Sequence, residues 1–232
     1  MTTASDRTNL IEAFFSKTGP TYETVVHLFT LGIDRIWKKK ILLSIPYPPK
    51  RALDLACGTG LLTFEIARTY ADCKITGVDI SESYLDVARK KSVQCPRVRL
   101  IHQRAEDFLS DERFDVITAS YLPKYADLDR LFRHIALLLA PGGAVILHDF
   151  TYPTHPLLQK LFEGYMTLVA FLGGGLFPEW KPVLQQLPHV IRKTRWMEDS
   201  LEAIARHGFC EVQVTSLTLQ GSAMIVARKP LA

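Results

Sequence analysis

Residues 50–63, KRALDLACGTGLLT, leave the chain few choices of fold. An apolar run from Ala52 to Ala56, interrupted only by Asp54, meets a pair of glycines, and a helical pattern begins at Leu61. This is a strand that ends in a tight turn and hands over to a helix. Gly58 and Gly60 allow the backbone to turn sharply and to approach a ligand with no Cβ in the way. The free N–H groups of the new helix then face whatever sits there.

A pyrophosphate-binding turn would read G-x-G-x-x-G, but Thr63 stands where the third glycine belongs. A second apolar run, Ile75 to Val78, ends in Asp79, 19 residues beyond Gly60. A carboxylate at the end of a second strand suits a ribose diol, because it accepts from both hydroxyls. Asp54 is able to accept from an ammonium, directly or through water. Glycines, Asp54 and Asp79 together describe a nucleoside carrying an amino acid, not a pyrophosphate.

From Arg51 onward strands and helices alternate, which predicts a mostly parallel sheet covered on both faces. Strands are expected at 51–55, 74–79, 97–102, 114–119, 143–149, 210–217 and 222–228, the last two antiparallel across Leu219–Gly221. Helices are expected at 61–70, 83–93, near 105–109, at 127–139 and at 198–207. Ser81 and Ser83 are placed to cap the second of these, and Pro141-Gly142-Gly143 reads as the turn before the fifth strand. Before the core, 8–17, 21–31 and 33–45 have helical spacing, and prolines 46, 48 and 49 mark the boundary. The expected division is an N-terminal helical cap over 1–49 and a core over 50–232, interrupted by a helical lid over 151–195. Within the lid an apolar helix from Leu157 to Leu172 is expected to end at Gly173-Gly174-Gly175. An open sheet binds ligands beyond the carboxyl ends of its strands, where strand order reverses. That puts the chemistry near Asp54–Gly60, Asp79, Arg104–Glu106 and Ser120–Tyr125.

Composition narrows the function classes. With 47% hydrophobic residues in 232, a full core is expected. The net charge of +4 is mild, no basic-aromatic stretch is visible, and nucleic-acid binding is disfavoured. Lys38-Lys39-Lys40 reads first as a solvated helix face, and second as a contact with an anionic membrane. The four cysteines form no C-x-x-C pair and the N-terminus has no apolar signal core; no metal site and a cytoplasmic location, with peripheral membrane contact as an option, are expected. The tract from Leu157 to Phe177 contains Lys160, Glu163 and four glycines and makes a poor membrane span.

Leu53 to Gly60 together with Gly77-Val78-Asp79 resembles the class I S-adenosylmethionine (SAM) methyltransferases. A narrower resemblance, to the ubiquinone/menaquinone C-methyltransferases, runs over roughly residues 10–228. It is carried by Phe14 to Tyr22, Leu31 to Lys38, Phe114-Asp115, Leu139 to Gly143, His148-Asp149-Phe150 and Met197 to Phe209. The resemblance implies a Rossmann-like seven-stranded sheet of order 3-2-1-4-5-7-6 with strand seven reversed. It also implies SAM as cofactor, with Thr59 near the methionine end, Asp79 on the ribose, Arg104-Ala105 by the adenine, and Ser120 nearby. Tyr22, Asp54, Gly58, Gly60, Ile80 and Glu106 complete the expected cofactor site. The implied acceptor is a small hydrophobic molecule, a quinone-type or phenolic ring.

Two departures stand out. Arg104 replaces the family's usual Asn or Asp, and a guanidinium has no acceptor for an adenine amine. Lys124-Tyr125 replaces an Arg-Asn pair near the acceptor. Tyr121, Lys124 and Tyr125 are the catalytic candidates, with His148 read first as a core histidine and His155 as exposed. The second departure keeps other readings open: O- or N-methylation of another small molecule, non-methyl use of SAM, or a SAM-binding module without catalysis.

Overall fold

The computed structural model describes residues 15–231. After a 3-10 turn at Gly19–Thr21 come α1 (Tyr22–Phe29) and α2 (Ile33–Leu43). The core follows as β1 (Arg51–Leu55), α3 (Leu61–Thr69), β2 (Lys74–Asp79), α4 (Glu82–Ser92), β3 (Val98–His102), β4 (Phe114–Ser120), α5 (Leu128–Leu138) and β5 (Leu139–Phe150). Two inserted helices, α6 (Pro156–Leu176) and α7 (Lys181–Lys193), precede α8 (Trp196–Arg206), β6 (Cys210–Leu217) and β7 (Ser222–Arg228).

The seven strands form one sheet in the order β3-β2-β1-β4-β5-β7-β6. β7 runs antiparallel to both of its neighbours, while β1 to β5 are parallel. β1 sits in the middle and is buried from Ala52 to Leu55, the pattern of a strand covered on both faces. One face packs under α5 and α8, with Leu131, Phe132, Ile135, Trp196 and Ile204 buried against Leu53, Ile117 and Leu147. The other face receives α2 and α3 through Trp37, Ile41, Leu62 and Ile66. Strand order reverses between β1 and β4.

Several boundaries shift for identifiable reasons. The helix expected over 8–17 lies largely outside the described residues. β5 begins at Leu139, not 143: Gly142, at φ +73°, donates to the Lys229 carbonyl, and the register with β4 slips between Phe114 and Val116. The Pro141–Gly143 stretch is therefore an irregularity inside a long strand, not a turn before one. The glycines at 173–175 do not end α6. A Cβ on Gly173 would overlap Leu184 of α7 and the Phe29 ring, so the glycine lets two helices and α1 approach closely. α7 carries an internal Pro188 and has buried Val183, Leu184 and Ile191 along one side. Ser81 occupies the position before α4, but its hydroxyl donates to the Phe15 carbonyl instead of capping the helix. Lys38 is not on a solvated face: it is buried on α2, 3.6 Å from buried Asp34, while Lys39 and Lys40 are exposed.

Candidate functional site

The turn between β1 and α3 is left-handed three times, at Ala56 (φ +56°), Gly58 (φ +58°) and Gly60 (φ +83°). A Cβ on Gly60 would press on the Phe64 ring, with Cδ2 at 2.7 Å, whereas one on Gly58 would reach only Tyr84 Cδ2 at 3.5 Å. Gly60 is thus demanded by conformation and packing, and Gly58 by conformation and by the open space before it. Asp79 fastens the turn to the end of β2. Its Oδ2 accepts from Gly58 N at 2.7 Å, and its Oδ1 from Ser81 N at 2.8 Å. Burial raises its carboxyl to about 6 despite those N–H groups. Each oxygen keeps a further lone pair toward the cavity.

Beside the turn lies a cavity of about 460 Å³. Gly58, Asp79, Ile80, Arg104, Ala105 and Glu106 line one end, joined by Tyr22 and Ser120. Tyr121, Lys124 and Tyr125 line it as well, so the structure gathers eleven of the fourteen expected site residues. Asp54, Thr59 and Gly60 are not brought to its surface. Both Asp54 oxygens are taken, by Thr63 Oγ1 at 2.6 Å and Thr118 Oγ1 at 2.7 Å, and burial raises this carboxyl to about 6. Asp54 therefore braces α3 and β4 behind the turn. Thr59 is fully buried and donates to Glu23 Oε1 of α1 at 2.7 Å. Lys91 of α4 closes the cluster on Glu23 and on the Thr59 carbonyl.

The residues present fit an adenosyl group carrying an amino acid. Asp79 offers a buried acceptor at the β2 terminus, Gly58 leaves space, and Ile80 and Ala105 supply apolar sides for a flat ring. Arg104 lacks an acceptor, but its neighbour Glu106 brings a buried carboxylate into the same wall, 3.4 Å from the Arg104 guanidinium.

The β4–β5 end is more polar than the sequence showed. His148 is fully buried between Ser120 Oγ (3.0 Å from Nδ1) and Ser222 Oγ (2.9 Å from Nε2). Ser222 spends its one proton on the Asp149 carbonyl at 3.0 Å. His148 therefore donates from Nε2 to Ser222 and accepts at Nδ1 from Ser120. Burial holds it well below the usual histidine range, so it stays neutral. Next to it, Lys124 Nζ donates to Asp149 Oδ1 and to the Tyr121 carbonyl, each at 2.8 Å. Asp149 also accepts from Lys124 N and Phe150 N. In the sequence Asp149 stands out only within the His148-Asp149-Phe150 stretch that carries the family resemblance, with no role in the site; an acid inside an apolar strand was the further signal. The Lys124 ammonium lies 4.4 Å from the centre of the Tyr125 ring and 5.5 Å from that of Tyr121.

Tyr121 has φ +66°, a strained conformation for a bulky side chain. Its ring stacks on Phe150 at 5.0 Å, and its buried hydroxyl has no hydrogen-bond partner among the described residues. Burial pushes the phenols of Tyr22, Tyr121 and Tyr125 up, so none ionises readily and none is a base at neutral pH. His155 is exposed and caps α6, accepting from Leu157 N.

The rest of the cavity wall comes from α1, α6 and α7: Val25, Phe29, Phe162, Met166, Val169 and Leu184 are among its apolar members. The start of α1 ties these helices together. Thr21 Oγ1 donates to Glu179 Oε1 at 2.8 Å and accepts from Trp180 Nε1 at 2.9 Å, and Tyr165 donates to the Phe29 carbonyl at 2.7 Å.

A family model described as the ubiE/COQ5 methyltransferase family matches residues 1–229. The chain belongs to that family. This methyltransferase is 28% identical to a demethylmenaquinone methyltransferase of Bacteroides fragilis over 225 residues, covering 94% of the chain and 92% of that relative. It is 30% identical to a ubiquinone/menaquinone biosynthesis C-methyltransferase of Geotalea daltonii, covering 90% of the chain and 92% of the relative. Among solved structures, phosphoethanolamine N-methyltransferase 2 of Haemonchus contortus in complex with SAM superposes with TM-score 0.62 at 18% identity, over 84% of this chain and 52% of that one. Geranyl diphosphate C-methyltransferase of Streptomyces coelicolor does so with TM-score 0.62 at 14% identity, over 84% and 76%. These two share the fold. The methyl donor of this methyltransferase is SAM, and its acceptor is a small hydrophobic molecule. Among the described residues no helix is long and apolar enough to cross a membrane.

Proposed function

We propose that the chain methylates a ring carbon of a quinol-type acceptor bearing a long apolar tail, as in quinone biosynthesis. One observation carries this reading: the cavity is divided. Asp79 and Gly58 of the glycine turn line one part, and Tyr121 and Lys124 line another, with Asp149 buried behind Lys124. From there the wall continues as apolar side chains of α1, α6 and α7, which act as cap and lid. The names of the relatives point to the same acceptor class.

Bound SAM supplies an electrophilic methyl on a sulfonium. The protein must align a carbon nucleophile with it, and much of the barrier reduction comes from that positioning. A phenolic ring becomes nucleophilic at carbon when its O–H proton has been given up to bulk water before the site is filled; after methyl transfer the methylated carbon loses its own proton to water and the ring regains aromaticity. Burial lowers Lys124 and the paired Asp149 opposes that shift; the Lys124 ammonium lowers the cost of phenolate formation when the oxygen lies near it. Two of its three N–H groups are committed to Asp149 and Tyr121, which leaves one. The Tyr121 hydroxyl is kept protonated by burial and donates to the same oxygen. An unmet buried hydroxyl costs about 1–3 kcal/mol, and an acceptor oxygen removes that cost. The apolar wall excludes water from the developing carbanion-like ring.

Incubating the enzyme with labelled SAM and, separately, demethylmenaquinol, a catechol and a small amine tests the reading. Carbon-bound label in the quinol is expected. Label confined to the amine or to oxygen would overturn it. Tyr121→Phe should lower kcat by about tenfold, the worth of one hydrogen bond to a charged group, with SAM affinity unchanged.

A further inference from the structure

One face of α6 lies mostly outside the cavity, meeting it at Leu161. Leu157, Leu161, Leu168, Phe171, Leu172 and Leu176 are all exposed, Phe171 to 78%. Most of them follow the three-to-four residue helical repeat along a single stripe. Met166, Val169 and Gly173 are buried on the other side, where α6 meets α1 and α7. A helix packed on one side normally turns polar residues outward. Here 21 residues, a length of about 30 Å, turn leucine and phenylalanine outward. The stripe reaches the cavity at Leu161, and Leu31 and Leu219, each 72% exposed, line the same cavity.

Charge decides what covers it. Residues 15–45 and 151–195 hold ten Lys and Arg against four Asp and Glu, a net +6, on a chain whose total is +4. The rest of the protein is net negative. Lys39, Lys40, Lys160 and Lys181 are exposed members of this set. A second copy would bring like charge against it, whereas an anionic bilayer complements it.

We propose that α6 lies flat on an anionic lipid surface, with its leucine stripe at the headgroup–acyl boundary and the cavity mouth facing the lipid. A helix with one apolar face and basic flanks lies on a membrane and does not span it. The inference deepens the acceptor reading and rests on it: a tailed ring moves from bilayer to cavity without crossing water.

Co-sedimentation of the full chain with phosphatidylcholine vesicles, with and without phosphatidylglycerol, tests it. Binding is expected only with the anionic lipid. It should fall as salt shrinks the screening length from about 10 Å at 0.1 M to about 3 Å at 1 M. Leu168→Glu with Phe171→Glu should cut vesicle partition by about tenfold or more. SAM binding, helicity and turnover of a tailless soluble acceptor should stay unchanged. Equal partition of variant and parent, or no binding to either vesicle, overturns the proposal. So does a dimer in light scattering that the double variant dissociates, since the stripe would then be an interface between copies. If vesicles bind the protein but no quinol is methylated, the acceptor reading falls and the docking stands; quinol methylated in detergent by a protein that binds no vesicle gives the reverse.

Discussion

Neutralising the Lys124–Asp149 pair separates its structural role from its chemical one. The two side chains are 2% and 0% exposed, and the ammonium sits 2.8 Å from the carboxylate. Burial lowers Lys124 and raises Asp149 from their ordinary values, and each partner works against the other's shift. Removing one partner strands the other. Lys124→Met deletes two hydrogen bonds and leaves Asp149 with two backbone donors. Breaking a buried pair costs about 3–5 kcal/mol; the retained donors and the ready protonation of Asp149 put this variant near the lower end. At about 2–4 °C per kcal/mol for a chain of this size, Tm should fall by about 6–12 °C. Asp149→Asn should cost a similar amount, because it leaves Lys124 unpaired. The double variant should cost less than the two singles together, by about 1.5–3 kcal/mol. Urea unfolding of the four proteins gives this coupling, and methylation rates measured on the same samples give the second readout. If the double variant recovers stability but not turnover, Lys124 acts on the acceptor. Additivity within about 0.5 kcal/mol would refute the paired arrangement itself.

Other outcomes follow from the donor end of the cavity. Asp79→Asn should weaken SAM binding by about tenfold to a hundredfold, the worth of one charged hydrogen bond, as read by calorimetry; unchanged affinity would remove the carboxylate from the ribose. Because burial raises Asp79 to about 6 and ribose hydroxyls favour its ionised form, SAM affinity should climb from pH 5 to 7 and level off above. An affinity flat over that range would contradict the assignment. For stability the sign is opposite. Asp54 and Asp79 hold protons more tightly folded than unfolded, so their contribution is fully present below the unfolded value near 4 and is lost as pH rises through about 6. Gly60→Ala should cost roughly 1–3 kcal/mol, because it adds left-handed strain to a clash with Phe64, and should abolish SAM binding measured by calorimetry.

The core fold was legible because its signals are local. An apolar run ending in Asp79, or the glycines after Leu55, carry their meaning within a few residues, and the strands at 51–55, 74–79, 210–217 and 222–228 fall where expected. What was illegible depends on partners distant in sequence. Asp54 reads as a ligand-facing acid, and only the fold shows that it also holds Thr118 of another strand. Asp149 gains its meaning from Lys124, 25 residues away. Gly173 reads as a helix stop because glycine is a poor helix former; only the presence of Leu184 and Phe29 shows why a side chain was excluded there. Lys38 sits in a run of three lysines, yet the turn of α2 sends it inward beside Asp34.

Thr21 and Glu23 are two residues apart, yet Thr21 answers to Glu179 and Trp180 of the roof while Glu23 answers to Thr59 and Lys91 at the floor. One short segment therefore touches both sides of the cavity. A substitution at Thr21 or Glu23 should disturb SAM and acceptor binding together, and variants that change one affinity and leave the other untouched would show that the two sides are independent.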